Sequence, residues 1–169
     1  ERMKIQLEKS AIITSNIKNI DLTWAYTDIE RLKKQYTNDE FILIFPFCSK
    51  KHKQKKWPYF KELVNRIKEV YKNKYSILVA PGPGEIEEAR SLNAKVVLEN
   101  NKPISLTKLI SWINKSKLVI SNDTGPGHIA SHLKKKGLAL FGSHTSAEKV
   151  SIENENFKCI QTKKLKDLP

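Results

Sequence analysis

The sequence predicts a three-layer α/β domain, with a parallel sheet between two layers of helices. Two observations carry that expectation. Apolar runs of three to seven residues recur between residues 41 and 141, too short for helices and bounded by polar residues or turn formers. Between them lie segments whose apolar residues repeat at helical spacing. Strands that alternate with helices form parallel sheets through right-handed crossovers. At 169 residues and 39% hydrophobic content, the chain suits one domain with a sizeable core.

Residues 1–10 are expected as a short helix. Residues 11–40 mix isolated hydrophobics (Ile12, Ile13, Leu22, Trp24, Tyr26) with polar breaks and read as a linker packing on the domain. Residues 41–47 form a continuous apolar run, the pattern of a strand buried on both faces. Residues 58–72 place Phe60, Leu63, Val64, Ile67, Val70 and Tyr71 at helical spacing, with Pro58 at the start. A second strand is expected at 75–80, a short helix at 85–92 and a third strand at 94–98. Residues 105–114 form a helix with Leu106, Leu109, Ile110 and Ile113 on one side. A fourth strand at 117–121, a helix at 126–135 and a fifth strand at 138–141 follow. One helical turn at 147–152 and a last strand at 157–160 complete the pattern. The organisation is therefore a 1–40 linker, a 41–162 Rossmann-like domain and a 163–169 tail.

The commonest order for six such strands is 3-2-1-4-5-6, and ligands bind at the switch between strands one and four, outside the carboxyl ends. Three loops meet there. The loop after strand four reads Asn122-Asp123-Thr124-Gly125-Pro126-Gly127-His128. Pro126 suits the first helical position, which leaves the amides of Gly127 and His128 at the positive end of a helix dipole, a site for a phosphate. Asp123 beside a phosphate makes sense if the ligand also carries hydroxyls, as a sugar does. The loop after strand one holds Lys50, Lys51, Lys53, Lys55 and Lys56, and the loop after strand two reads Pro81-Gly82-Pro83-Gly84-Glu85.

Each of these residues also has a plainer reading. Asp123 or Thr124 can bond local backbone in a capped turn. Lys55 can be a solvated loop lysine, Trp57 a core anchor, and Glu85 a first-turn acid that favours its helix dipole. His128 and His132 stand four apart, a zinc-ligand spacing, but no third ligand or intervening glutamate accompanies them. No metal is expected.

The net charge of +13 fits an anionic partner or a lysine-biased composition. Only Arg2, Arg31, Arg66 and Arg90 among the 31 basic residues are arginines, and the aromatics fall in apolar runs rather than among the lysines. A nucleic-acid-binding module is therefore the lesser reading. Cys48 and Cys159 show no metal spacing and suggest a reducing compartment. No run approaches the ~20 apolar residues of a membrane span. The chain begins Glu1-Arg2-Met3-Lys4, as if taken from a longer protein.

Three features together resemble glycosyltransferase family 9, the heptosyltransferases of lipopolysaccharide assembly. They are the Asp-Thr-Gly-Pro-x-His turn at 123–128, the Lys-x-Trp-Pro at 55–58 and the Gly-Glu at 84–85. Ser105-Leu106 and Leu140-Phe141-Gly142 agree further. The resemblance, from about Trp24 to Phe157, implies the carboxyl-terminal half of a two-domain GT-B enzyme, the half that holds the nucleotide sugar. It implies that Lys55 meets the diphosphate and the developing charge of the leaving group, and that Asp123 holds donor-sugar hydroxyls. Ser49 is implied as a hydroxyl near phosphate, Glu85 as the acceptor of ribose hydroxyls, and Thr124 and Gly125 as the phosphate cradle. Gly127 and His128 belong to the same turn, and Ile104 lies near the adenine pocket.

The resemblance further implies an ADP-heptose donor, inversion at the sugar carbon, and no metal or cofactor. The lipid-linked saccharide acceptor and the catalytic base belong to an amino-terminal domain absent from this chain, which alone is expected to be inactive. A cytoplasmic enzyme at the inner-membrane surface of a Gram-negative bacterium, without a nucleic-acid partner, completes the implication. The sequence departs from the family in its longer lysine loop (residues 50–54), in Gly127, and in Lys134-Lys135-Lys136-Gly137 after the helix. These departures leave room for another nucleoside-diphosphate sugar.

Overall fold

The computed structural model describes residues 2–15, 20–72 and 74–169. Glu1 of the expected first helix, residues 16–19 of the expected linker and the side chain of Lys50 lie outside the described set. Six parallel strands form one sheet in the order β3-β2-β1-β4-β5-β6, as expected. The strands are β1 (Phe41–Phe45), β2 (Ser76–Val79), β3 (Lys95–Val96), β4 (Leu118–Asn122), β5 (Gly137–Phe141) and β6 (Phe157–Gln161). The central pairing sets Ile42 opposite Leu118 and Phe45 opposite Ser121, so the carboxyl ends of β1 and β4 lie side by side.

Alternation along β1 divides the core in two. Phe41, Leu43 and Phe45 face one side with Trp112, Ile113 and Ala130, from helices α5 (Leu106–Lys115) and α6 (Gly125–His132). Ile42 and Ile44 face the other with Phe60, Val64 and Ala89, from α3 (Phe60–Val70) and α4 (Ile86–Arg90). Both faces of the sheet are covered, which is why its strands read as continuous apolar runs.

The structure differs from expectation at the edges. Helix α1 (Arg2–Lys9) forms, but the expected linker also contains a 3₁₀ turn (Thr23–Ala25) and a short helix, α2 (Glu30–Lys33). Ile29, just before α2, is buried in the first core, and the Tyr36 hydroxyl donates to the Leu98 carbonyl at 2.7 Å. Strand β3, at the edge of the sheet, is only two residues long and pairs with β2 alone. The helix expected to reach residue 135 ends at His132, where Lys134 takes the left-handed conformation (φ 54°) that glycine usually supplies. One turn of helix, α7 (Ala147–Val150), precedes β6. Residues 163–169 do not trail from the domain. A 3₁₀ turn (Leu165–Asp167) buries Leu165, and the Trp57 indole N–H donates to the Leu168 carbonyl at 2.8 Å.

Gly137 shows how tightly β5 meets its neighbour. A Cβ there would lie 2.3 Å from the Phe157 ring and 3.0 Å from the Val119 carbonyl. Gly137→Ala is therefore expected to destabilise the domain by roughly 1–3 kcal/mol, as overpacking does, read as a lower urea midpoint at unchanged m-value.

Candidate nucleotide-sugar site

A cavity of about 630 Å³ opens at the carboxyl ends of β1, β2 and β4, where the strand order reverses. Its wall is mainly apolar, with Phe45, Phe47, Ala80, Pro81, Ile104 and Leu109. Polar groups from four segments face the same space: Ser49, Glu85, Lys102 and Thr124. An apolar chamber with a few convergent polar groups is the usual form of a small-molecule site. Of the residues singled out from sequence, the structure brings Ser49, Glu85, Ile104 and Thr124 into this cavity. Lys55 and Asp123 do not line it. They meet beside it, one in the loop that starts at Ser49 and the other next to Thr124.

The lysine loop has more structure than its composition announced. Ser49 caps a 3₁₀ turn (Lys50–Lys55), its hydroxyl accepting from the Lys51 amide at 3.4 Å, with a kink at His52. The loop is tied to β4 by Asn122, which is fully buried. Its Oδ1 accepts from the Trp57 amide at 3.1 Å, and its Nδ2 donates to the Pro46 carbonyl at 2.7 Å. Trp57 is the core anchor of its plainer reading, packed edge-on against Phe60 at 5.1 Å between ring centroids.

The ends of that tie bring Lys55 to Asp123. Lys55 Nζ lies 2.6 Å from Asp123 Oδ2, and the Asp123 side chain is only 5% exposed. His144 Nε2 lies 2.9 Å from the same oxygen, and His128 Nε2 lies 3.4 Å from Oδ1. Burial pushes the Asp123 carboxyl up, but hydrogen bonds from Lys55 and His144, the Lys55 charge and His128 outweigh it and hold the group below its ordinary value. Asp123 is thus a carboxylate held by neighbouring side chains and not a cap of its own turn. Thr124 occupies the N-cap of α6, yet its hydroxyl makes no capping bond and reaches only the Asn122 carbonyl at 3.4 Å. Helix α6 begins at Gly125, so Pro126 is its second residue and not its first.

The two glycines of the turn differ. A Cβ on Gly125 would meet nothing within 4 Å, so its backbone faces open space. A Cβ on Gly127 would lie 2.5 Å from Ser121 Oγ. Gly127 is buried against β4, and its small size serves helix–sheet packing rather than direct contact with the cavity. Glu85 faces the cavity and also closes its own loop, accepting from the Gly82 amide at 2.7 Å. Burial, partly offset by that hydrogen bond, raises its carboxyl above the ordinary value. Gly84 takes φ +80° in this loop, a conformation that glycine adopts freely. Among the described residues, no three His, Cys, Asp or Glu side chains are grouped to hold a metal ion. His132 is lowered by burial and by neighbouring His128.

His144 had not been singled out. The signal for it was topological: it follows β5, the neighbour of β4, and so lies at the same carboxyl edge as Asp123.

Sheet order, cavity and loops together define a three-layer α/β domain of Rossmann type, with a cavity at its switch point. The chain belongs to glycosyltransferase family 9 (heptosyltransferase), whose model matches residues 9–168. No curated protein matches the sequence. Among solved structures, the fold is similar to E. coli heptosyltransferase WaaC with ADP, at 19% identity and a TM-score of 0.66, over 80% of this chain and 43% of that one. It is also similar to E. coli ADP-heptose lps heptosyltransferase II, at 16% identity and a TM-score of 0.64, over 84% and 48%. A putative UDP-N-acetylglucosamine 2-epimerase from Listeria monocytogenes follows at 18% identity and a TM-score of 0.58, over 85% and 39%. The chain spans less than half the length of each of these proteins.

Lys55→Ala removes one lowering partner and leaves only His144 and His128 to oppose the burial of the Asp123 carboxyl. A carboxyl held low in the folded state stabilises above its unfolded value, about pH 4, and that stabilisation is lost as pH falls through the folded value. The variant is expected to lose about 1–3 kcal/mol at pH 7 and to unfold in acid at a higher pH than wild type. Circular dichroism melts from pH 3 to pH 7 check both; an unchanged acid midpoint would mean that the ion pair does not hold the carboxylate.

Proposed function

We propose that this chain is the donor-binding half of a GT-B heptosyltransferase, taking ADP-heptose for transfer to the lipopolysaccharide core. One observation carries the reading: a Lys55–Asp123 ion pair stands at the rim of an apolar cavity at the switch point of the sheet. The cavity wall at Ile104 and Phe47 suits a flat base, and Glu85 can accept from ribose hydroxyls. Thr124 and the open backbone at Gly125 face the diphosphate, with Ser49 across the cavity. Lys55 offsets the charge that grows on the leaving diphosphate, an electrostatic contribution to the rate. Asp123 holds hydroxyls of the sugar.

In the transfer itself an acceptor hydroxyl attacks the anomeric carbon and the bond to the diphosphate breaks with inversion. The hydroxyl proton passes to a carboxylate base. That base and the lipid-linked acceptor site are assigned to the other half of the GT-B enzyme. The reaction needs no metal and no cofactor. Among the described residues no helix is long and apolar enough to cross a membrane; a cytoplasmic enzyme at the inner-membrane surface fits the lipid-linked acceptor.

Calorimetric or NMR titration with ADP, with and without EDTA and beside duplex DNA at ~150 mM salt, tests the proposal. ADP is expected to bind with a dissociation constant on the order of 0.1–1 mM, unaffected by EDTA, and to shift residues 49–56, 82–86 and 122–128. Tight DNA binding without an ADP response in those loops would return the lysines to a nucleic-acid role. UDP competing as well as ADP would point to a different nucleotide sugar.

Gly125→Ala gives a second check. Its Cβ would enter open space within the first turn of a helix, so stability is expected to hold or rise by up to about 1 kcal/mol. Diphosphate binding is expected to fall about tenfold or more, because the added methyl stands where the phosphate approaches. Unchanged ADP affinity in a folded variant would remove Gly125 from the site.

A further inference from the structure

Asp123 presents a problem that the donor-binding reading creates. Its carboxylate is almost wholly buried, and its shortest contact is Lys55 at 2.6 Å. If Lys55 turns to a bound diphosphate, the carboxylate loses that partner. A buried charge left without compensation is strongly destabilising. Whatever holds Asp123 at that moment determines how readily Lys55 can move.

His144 is built for that task. Its side chain is 7% exposed and its Nε2 lies 2.9 Å from Asp123 Oδ2, the oxygen that Lys55 also uses. The ring stacks on Phe141, with centroids 6.3 Å apart and planes 11° from parallel, which fixes its orientation. Gly142 makes room for it: a Cβ there would stand 3.3 Å from His144 Nδ1. Nδ1 is buried and has no hydrogen-bond partner among the described residues. A proton on Nδ1 would be a buried N–H without an acceptor, while a bare Nδ1 beside a protonated Nε2 leaves only a weak acceptor unmet. A proton on Nε2 satisfies the geometry, and it points at Asp123. His128 is the weaker partner, at 3.4 Å from Oδ1 and one-third exposed.

We infer that His144 is a positioning residue for Asp123: its Nε2–H keeps the carboxylate paired and oriented while Lys55 is handed over from Oδ2 to the diphosphate. The inference rests on the donor-binding reading. It predicts a coupling that simple packing would not produce. His144 matters to ligands that draw Lys55 away, and not to ligands that only fill the apolar cavity.

ADP and adenosine titrated by NMR into the full chain separate the two. In His144→Ala, ADP affinity is expected to fall on the order of ten- to hundredfold, the size of a hydrogen bond to a charged group, while adenosine affinity stays within about twofold. His144→Gln places an amide N–H where Nε2 stands and is expected to recover most of the ADP affinity. Equal losses for both ligands, no loss of ADP affinity, or no recovery with glutamine would overturn the inference. If wild type responds to neither ligand, the donor-binding reading fails instead. The ¹⁵N spectrum of the histidines in the free chain then still judges His144. A proton on Nε2 supports the positioning role, and a ring protonated on Nδ1 alone overturns it.

Discussion

The site depends on one buried amide. Asn122 is the last residue of β4, and its side chain reaches both ends of the loop that leaves β1, at the Pro46 carbonyl and the Trp57 amide. Ten residues, 47–56, are thereby closed into a loop by a single side chain. Strand register alone would place the two loops near each other; the amide fixes how Lys55 arrives over Asp123. Asn122 is also the residue that hands the chain from sheet to turn, so the same peptide segment supports the lysine loop from below and starts the helix beside it. Aspartate at 122 would accept from Trp57 but offer nothing to Pro46, which is why the residue must both donate and accept.

Charge at this edge is arranged by burial more than by number. Lysine is abundant across the chain, yet most of its ion pairs are exposed, as at Lys4–Glu8 and Lys117–Glu40, where such pairs contribute little. In the first loop Lys56 pairs with Glu88 and Lys55 with Asp123. Only the second of these has an almost wholly buried carboxylate. The excess positive charge therefore describes the surface, while this edge of the sheet holds one shielded pair with two histidines around it.

How much of this was legible in the sequence follows from what each element is made of. The sheet order and helices α3 and α5 announce themselves because each helix buries a face, as Val64 and Phe60 do in α3 and Ile110 and Ile113 do in α5. Helix α2 does not, since none of its four residues is buried and it is held by Ile29 and Tyr36 on either side. The 3₁₀ turn over Lys50–Lys55 carries no apolar periodicity and forms because Ser49 caps it and Asn122 closes it. Lys55, Asp123 and Glu85 could be picked out because each sits in a loop that the topology brings to the switch point. Gly127 shared that loop but turned toward Ser121, a distinction only backbone direction reveals. His144, 21 residues from its partner, is invisible to spacing and becomes evident once β5 is known to lie beside β4.

The three tryptophans occupy three different environments. Trp24 is 79% exposed, Trp112 is fully enclosed in the first core, and Trp57 is 6% exposed with its N–H on a carbonyl in the last turn of the chain. An aqueous quencher would extinguish Trp24 first and leave an emission shared by two shielded indoles. Of these, only Trp57 adjoins the lysine loop, two residues from Lys55. The protein thus carries an intrinsic optical probe at the foot of the lysine loop, and its hydrogen-bonded indole would report a movement there as a change in emission colour.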